Sequence, residues 1–216
     1  MAVDDWASCV GGFGASTDPG ATAATTGCDS HAVLAGSSLL TLAFEIIASK
    51  KYSLNSKMKN ELIRSLASCS GHTGIAGGQE LDLKFENKKK KLNQVIDMQK
   101  KKTGKLFNFC LNAVGIIANK SKKEKNFLSN LGEEIGLLFQ FADDLLDKKG
   151  SRKLVGKPVN KDKKKGKSTL LSLMGENKAQ IYANNLKKKI LRKLKKHGKK
   201  ATALVNTIEF ILERKF

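Results

Sequence analysis

Gln140-Phe141-Ala142-Asp143-Asp144-Leu145-Leu146-Asp147 sets three carboxylates into a run otherwise made of Leu, Phe, Ala and one Gln. At about 100° per residue, a helix here brings Asp143 and Asp147 onto one face a turn apart, with Gln140 a turn earlier and Asp144 beside them. Leu131, Ile135, Leu138, Phe139, Ala142 and Leu146 recur at helical spacing on one side, which predicts a long helix over about 123–148. Acids so crowded repel one another unless a cation sits among their oxygens, and hard carboxylate ligands beside a phosphate group suit Mg²⁺. The bland rival is an ordinary acidic helix end, followed as it is by Lys148 and Lys149. Apolar flanks on both sides weigh against that rival, because buried acids need a reason.

The helical text continues in both directions. Downstream, Lys148 to Lys167 contains Gly150, Gly156, Pro158 and Gly166 and reads as a charged loop. A short helix near Ser168–Met174 and two lysine-rich amphipathic helices, about 176–197 and 199–213, follow it. Upstream, a helix is expected over about 92–119, preceded by the solvated lysine run 88–91. Another is expected from about Ser56 to Gln79, with Leu62, Ile63, Leu66, Ala67, Ile75 and Ala76 as its apolar set; glycines at 71, 74, 77 and 78 weaken its second half or allow close helix packing. The run from His31 places Leu34, Leu39, Leu42, Ala43 and Ile46 at the spacings of a buried helix. Two prolines and six per cent aromatics in 216 residues argue against a sandwich or barrel, so the fold class is all-α in one domain.

The formal charge of +20 raises nucleic acid or an anionic surface as a partner. Its make-up argues otherwise. Arginine stands only at 64, 152, 192 and 214, so 36 of the 40 basic residues are lysine and the bidentate side chain suited to bases and phosphates is scarce. Residues 1–49 hold five acids (Asp4, Asp5, Asp18, Asp29, Glu45) and no base, which leaves +25 on the rest. From Cys9 to Ser30 the text is Gly, Ala, Thr and Ser without apolar periodicity, and 1–30 is expected to be loop or disorder, distinct from 31–216. Cysteines 9, 28, 69 and 110 form no CxxC pair. With no basic leader and no apolar run judged long enough to span a bilayer, the expectation is a reduced cytoplasmic protein without stable membrane insertion. Gly166-Lys167-Ser168-Thr169 lacks the first glycine of a P-loop, Lys161 standing there, and Gly12-Phe13-Gly14 lacks the third glycine of a dinucleotide fingerprint.

Four motifs then occur in order: Gly77-Gly78-Gln79-Glu80-Leu81-Asp82-Leu83; Lys102-Thr103-Gly104-Lys105-Leu106; Phe139 to Asp147; and Gly156-Lys157 followed by Asp162 and Gly166-Lys167-Ser168-Thr169. Together they make residues 31–216 resemble the trans-polyprenyl (isoprenyl) diphosphate synthases, most closely bacterial farnesyl or geranylgeranyl diphosphate synthases. The resemblance implies a bundle of long helices around a central cavity. It implies condensation of isopentenyl diphosphate with an allylic diphosphate, dimethylallyl or geranyl, by Mg²⁺-assisted ionisation, with three Mg²⁺ ions and a homodimer. Carried over residue by residue, Asp143, Asp144 and Asp147 match the second aspartate-rich metal motif and Gln140 the glutamine before it. Lys102 and Thr103 match the pair that contacts the allylic diphosphate; Lys157 and Lys167 match lysines of the loop that closes over it. Arg214 is a weaker match to a basic tail near isopentenyl diphosphate.

The pattern breaks near the start. Asp4-Asp5 match a remnant of the first aspartate-rich motif, but Ser8 and Val10 occupy the places of its third carboxylate. The text before about residue 31 is therefore expected to be truncated or frame-shifted, and the isolated chain to turn over little or nothing. Two other readings stay open at this point: a noncatalytic subunit that binds diphosphates or a full-length partner, and a polybasic helical module for nucleic acid or anionic lipid.

Overall fold

The computed structural model describes the backbone of residues 23–153 and 169–213, with side chains over 30–147 and 169–213. Among the described residues every regular element is helical. The chain divides into two compact units, Met1–Asn55 and Ser56–Phe216.

The first unit contains α1, Ala23–Ala48. Its helix begins at Ala23 and not at His31, so the expected loop up to residue 30 is partly helical. Ala23, Ala24, Thr25 and Thr26 tolerate that conformation, and the low apolar content that suggested a loop does not forbid it. Apolar side chains circle this helix, and Val33, Leu34, Leu39, Leu40, Leu42 and Ile46 are all exposed. The expected buried helix is thus corrected: within its own described unit no second helix covers these residues. The Thr41 hydroxyl bonds back to the carbonyls of Ser37 and Ser38, both at 2.9 Å, as helical threonines do. Ser30–Ala48 is also long and apolar enough to cross a membrane by length and composition, with a mean hydropathy of 1.6 over 19 residues. That corrects the reading that no run reaches this length; a soluble protein's core helix meets the same test.

The second unit is a bundle. Its elements are α2 (Ser56–Ser70), α3 (Ile75–Phe85), α4 (Leu92–Gln99), a π-helical turn (Lys100–Gly104), α5 (Lys105–Ile117), α6 (Lys122–Lys153), α7 (Leu170–Met174), α8 (Glu176–Lys195), a 3₁₀ turn (Gly198–Ala201) and α9 (Thr202–Glu213). The expected continuous helix over 56–79 is therefore two helices. The break falls at the glycines: a Cβ on Gly74 would lie 1.9 Å from the Cys69 carbonyl oxygen, so the chain folds back there in a way only glycine permits. Likewise the helix expected over 92–119 is interrupted by the π-helical turn.

The axis of the bundle is α6. It starts at a capping box in which Ser121 Oγ accepts from the Glu124 amide and Glu124 Oε2 accepts from the Ser121 amide at 3.0 Å. Its buried Leu131, Ile135, Leu138, Ala142 and Leu145 repeat every three or four residues, and Leu137 and Phe141 widen the stripe. Burial on so wide an arc requires neighbours on several sides, and α4, α5, α7, α8 and α9 all pack on α6. From α8 come Ala179, Ala183, Leu186, Ile190 and Leu194, from α9 Ile208 and Ile211, and from α4 Val95 and Met98. At about 1.5–3 kcal/mol for each large apolar side chain buried, this core dominates the stability of the unit.

Ion pairs tie the outer helices to the axis. Glu134 of α6 accepts from Lys189 at 2.9 Å and Lys193 at 2.7 Å of α8. Burial alone pushes the Glu134 carboxyl up, but the bonds and charges of the two lysines outweigh it and hold its pKa below the usual glutamate range. Lys105 and Asn108 of α5 both donate to Glu133 Oε1, at 2.6 and 2.9 Å. Lys125 pairs with Glu61 of α2.

Candidate active site

The site is built where α3, the π-helical turn and α6 approach one another more closely than side chains allow. A Cβ added to Gly78 of α3 would lie 2.2 Å from the Lys102 nitrogen and 2.6 Å from its Cα; one added to Gly136 of α6 would lie 2.6 Å from Gly104 Cα. Two bare helix surfaces thus grip the turn from opposite sides. Its wide π winding, from Lys100 to Gly104, shifts the register between α4 and α5, and such turns are concentrated at functional sites.

Gripped there, Lys102 and Thr103 project into two sets of polar contacts. Lys102 Nζ donates to Asp82 Oδ2 of α3 at 2.6 Å. Thr103 Oγ1 donates to Gln140 Oε1 of α6 at 3.2 Å, and Gln140 Nε2 donates to Asp144 Oδ1 at 2.9 Å. Asp82 is 8% exposed, and a carboxylate so buried is tolerated because an ammonium stands against it. Of its three protons Lys102 uses one on Asp82, so its ammonium keeps donors for a second anion.

The sequence-expected residues divide as follows. Thr103, Gln140 and Asp144 are brought together in one hydrogen-bonded chain, and Lys102, next to Thr103 in the same turn, bonds Asp82. Thr103 bonds a side chain of another helix. Asp143 is half-buried and Asp147 exposed on the same α6 turn sequence. Among the described residues no three His, Cys, Asp or Glu side chains form a ready ligand cluster, so the acids are a row along the helix and not a closed cage. Asp4, Asp5, Lys157, Lys167 and Arg214 lie outside the described residues. Asp82 was missed as a functional residue, although it sits inside the quoted Gly-Gly-Gln-Glu-Leu-Asp stretch; its burial next to a lysine was the missing information.

The donor set suits magnesium. Mg²⁺ keeps several waters and is held through one or two carboxylates together with substrate phosphates, a demand that an open row of aspartates meets and a closed cage does not. Asp143, Asp144 and Asp147 are the residues that would hold it.

The long-helix bundle with this row of acids facing a lysine-threonine turn defines an isoprenoid synthase-type fold. The chain belongs to the polyprenyl synthetase family, whose pattern matches residues 20–208. It is 39% identical over 147 residues, 68% of its length, to the farnesyl diphosphate synthase of Micrococcus luteus. Among solved structures it is similar to an FPP/GFPP synthase from Zymomonas mobilis, with 35% identity, a TM-score of 0.73 and 85% of this chain covered. A geranyltransferase from Helicobacter pylori, solved with magnesium and isoprenyl diphosphate, is 28% identical with a TM-score of 0.66 over 84% of this chain. The chain spans 50% of the length of the Micrococcus synthase and 61% and 59% of the two solved chains.

Proposed function

We propose that this chain is the catalytic part of a prenyltransferase that condenses isopentenyl diphosphate with an allylic diphosphate, giving a short-chain trans-polyprenyl diphosphate. The observation that carries the reading is the unbroken link from the Lys102–Thr103 turn through Gln140 to Asp144. It joins a cationic group and an acidic row across two helices, the pairing that a substrate of linked phosphates and divalent metal requires.

Bound magnesium supplies Lewis-acid charge to the departing diphosphate. Lys102, oriented by Asp82, donates its remaining N–H groups to the diphosphate oxygens and stabilises charge that grows as the allylic carbon–oxygen bond breaks. Thr103 and Gln140 fix the height of the turn over the acids, so that donor and metal-holding oxygens reach the same phosphates. The double bond of isopentenyl diphosphate then attacks the allylic cation, and the proton lost in forming the new double bond goes to the released diphosphate. Lys157 and Lys167 belong to this reading as further donors to the same leaving group. So do three Mg²⁺ ions, a homodimer and a cytoplasmic location.

Calorimetric titration of the chain with geranyl diphosphate tests the reading. Saturable binding with a component that EDTA abolishes is expected, and that Mg²⁺-dependent component is expected to disappear in Asp144→Asn. Binding with no Mg²⁺-dependent component that Asp143→Asn or Asp144→Asn removes would sink the assignment and favour a simple polybasic surface, whose binding would instead fall steeply with salt.

A further inference from the structure

The basic residues over 187–195 of α8 fall into two groups. Lys187 is paired with Glu213 at 3.1 Å, and Lys189 and Lys193 share Glu134. Lys188, Arg192 and Lys195, spaced four and three residues apart on one stripe, make no ion pair among the described residues. All three are exposed, and all three line an open groove of about 520 Å³ between the end of α8 and the start of α9. Its floor is apolar: Leu191 and Leu194 from α8 and Val205 from α9. None of its lining residues is acidic, and none belongs to the polar network of the candidate active site.

Three uncompensated cations above an apolar floor call for a ligand with an anionic head and a hydrocarbon body. The volume falls in the range of about 300–1,000 Å³ usual for single small molecules. We propose that this groove is a second binding site for a prenyl diphosphate, separate from the catalytic network and independent of magnesium. The charge complementarity comes from the groove itself; the choice of a prenyl diphosphate over other anionic amphiphiles rests on the proposed function, which generates that class of molecule. The cations replace magnesium as counter-charge, so the head binds without metal, while Leu191, Leu194 and Val205 take the chain.

The test is calorimetric titration of the full chain with farnesyl diphosphate in EDTA, on wild type, Lys188→Glu/Arg192→Glu and Lys102→Ala. Both groove positions are exposed, and far-UV circular dichroism verifies that the variants fold. Metal-free binding is expected in wild type and Lys102→Ala and weakened by about tenfold or more in the double charge reversal, as expected for losing two charge-assisted contacts. Inorganic diphosphate, which lacks the chain, is expected to bind more weakly than farnesyl diphosphate. Absence of metal-free binding, or binding unchanged by the charge reversal, overturns the proposal. So does equal affinity for laurate, or binding only to vesicles containing anionic lipid. Absence of any Mg²⁺-dependent binding that Asp144→Asn removes would instead overturn the catalytic reading and leave this site standing.

Discussion

Gly78→Ala adds one methyl group at the tightest point of the site. The new Cβ would stand 2.2 Å from the Lys102 nitrogen, 2.6 Å from Lys102 Cα and 2.7 Å from the Lys101 carbonyl carbon. All three are backbone atoms, so no side chain can swing away to make room. Ordinary contact begins near 3.4 Å, and α3 and the π-helical turn must therefore part by about 1 Å. Overpacking of this kind costs about 1–3 kcal/mol of stability, offset in part by the better helix propensity of alanine. The functional cost is larger. A displacement of about 1 Å in a positioned catalytic group is enough to lower reactivity about 100-fold, and here it falls on the backbone that carries Lys102 and Thr103. Two measurements separate the effects: thermal unfolding for stability, and magnesium-dependent binding of geranyl diphosphate by calorimetry for the site. The expected result is a chain still folded at room temperature whose diphosphate binding has fallen well beyond its loss of stability. Binding and melting temperature both equal to wild type would refute the close approach of α3 to the turn, and with it the positioning of Lys102.

Lys102→Met leaves the buried Asp82 carboxylate without its ammonium and is expected to cost about 1–3 kcal/mol in denaturant unfolding, whereas Asp82→Asn/Lys102→Met should recover most of that stability and none of the diphosphate binding; full additivity of the two single changes would refute the pair. Glu134 has a folded-state pKa below its unfolded value, so its contribution is complete above the ordinary carboxylate range and is lost as pH falls through the lowered value. The stability gap between wild type and Glu134→Gln should accordingly be widest near neutral pH and close on acidification; a gap independent of pH would contradict the Lys189–Lys193 pairing. Gln99 Oε1 is buried without a hydrogen-bond partner at the start of the π-helical turn, so Gln99→Met should raise stability by about 1 kcal/mol, and a lower melting temperature would indicate a donor there.

What could be read from the residues followed periodicity. The 3–4 spacing of Leu131, Ile135, Leu138, Ala142 and Leu145 makes α6 unavoidable, and its apolar flanks already set Asp143, Asp144 and Asp147 apart from an ordinary acidic helix end. The same periodicity says nothing of a π-helical turn, because Lys100–Gly104 holds three lysines and no apolar residue to mark a phase shift. Gly77 and Gly78 read either as helix weakeners or as places of close packing, and Gly78 is the second, a contact surface for Lys102; the spacing does not name that partner. The burial expected for α1 failed for a related reason. Its apolar residues surround the helix, and spacing alone does not tell which of them a neighbour covers.

The site's chemistry depends on α6 being two things along one length. Toward its start it is a core helix whose glycine at 136 lets the turn come down onto it; one turn later Gln140 changes the surface from apolar to polar, and Asp143 and Asp144 follow half-buried. Gln140 is the hinge of that change because an amide can accept from Thr103 and donate to Asp144 at once, which neither a hydroxyl-free apolar residue nor a carboxylate could do. A glutamate there would accept from Thr103 but repel Asp144, and a leucine would leave both partners unsatisfied. That one side chain bridges the turn and the acidic row, and the proposed sharing of a diphosphate between lysine and metal depends on it.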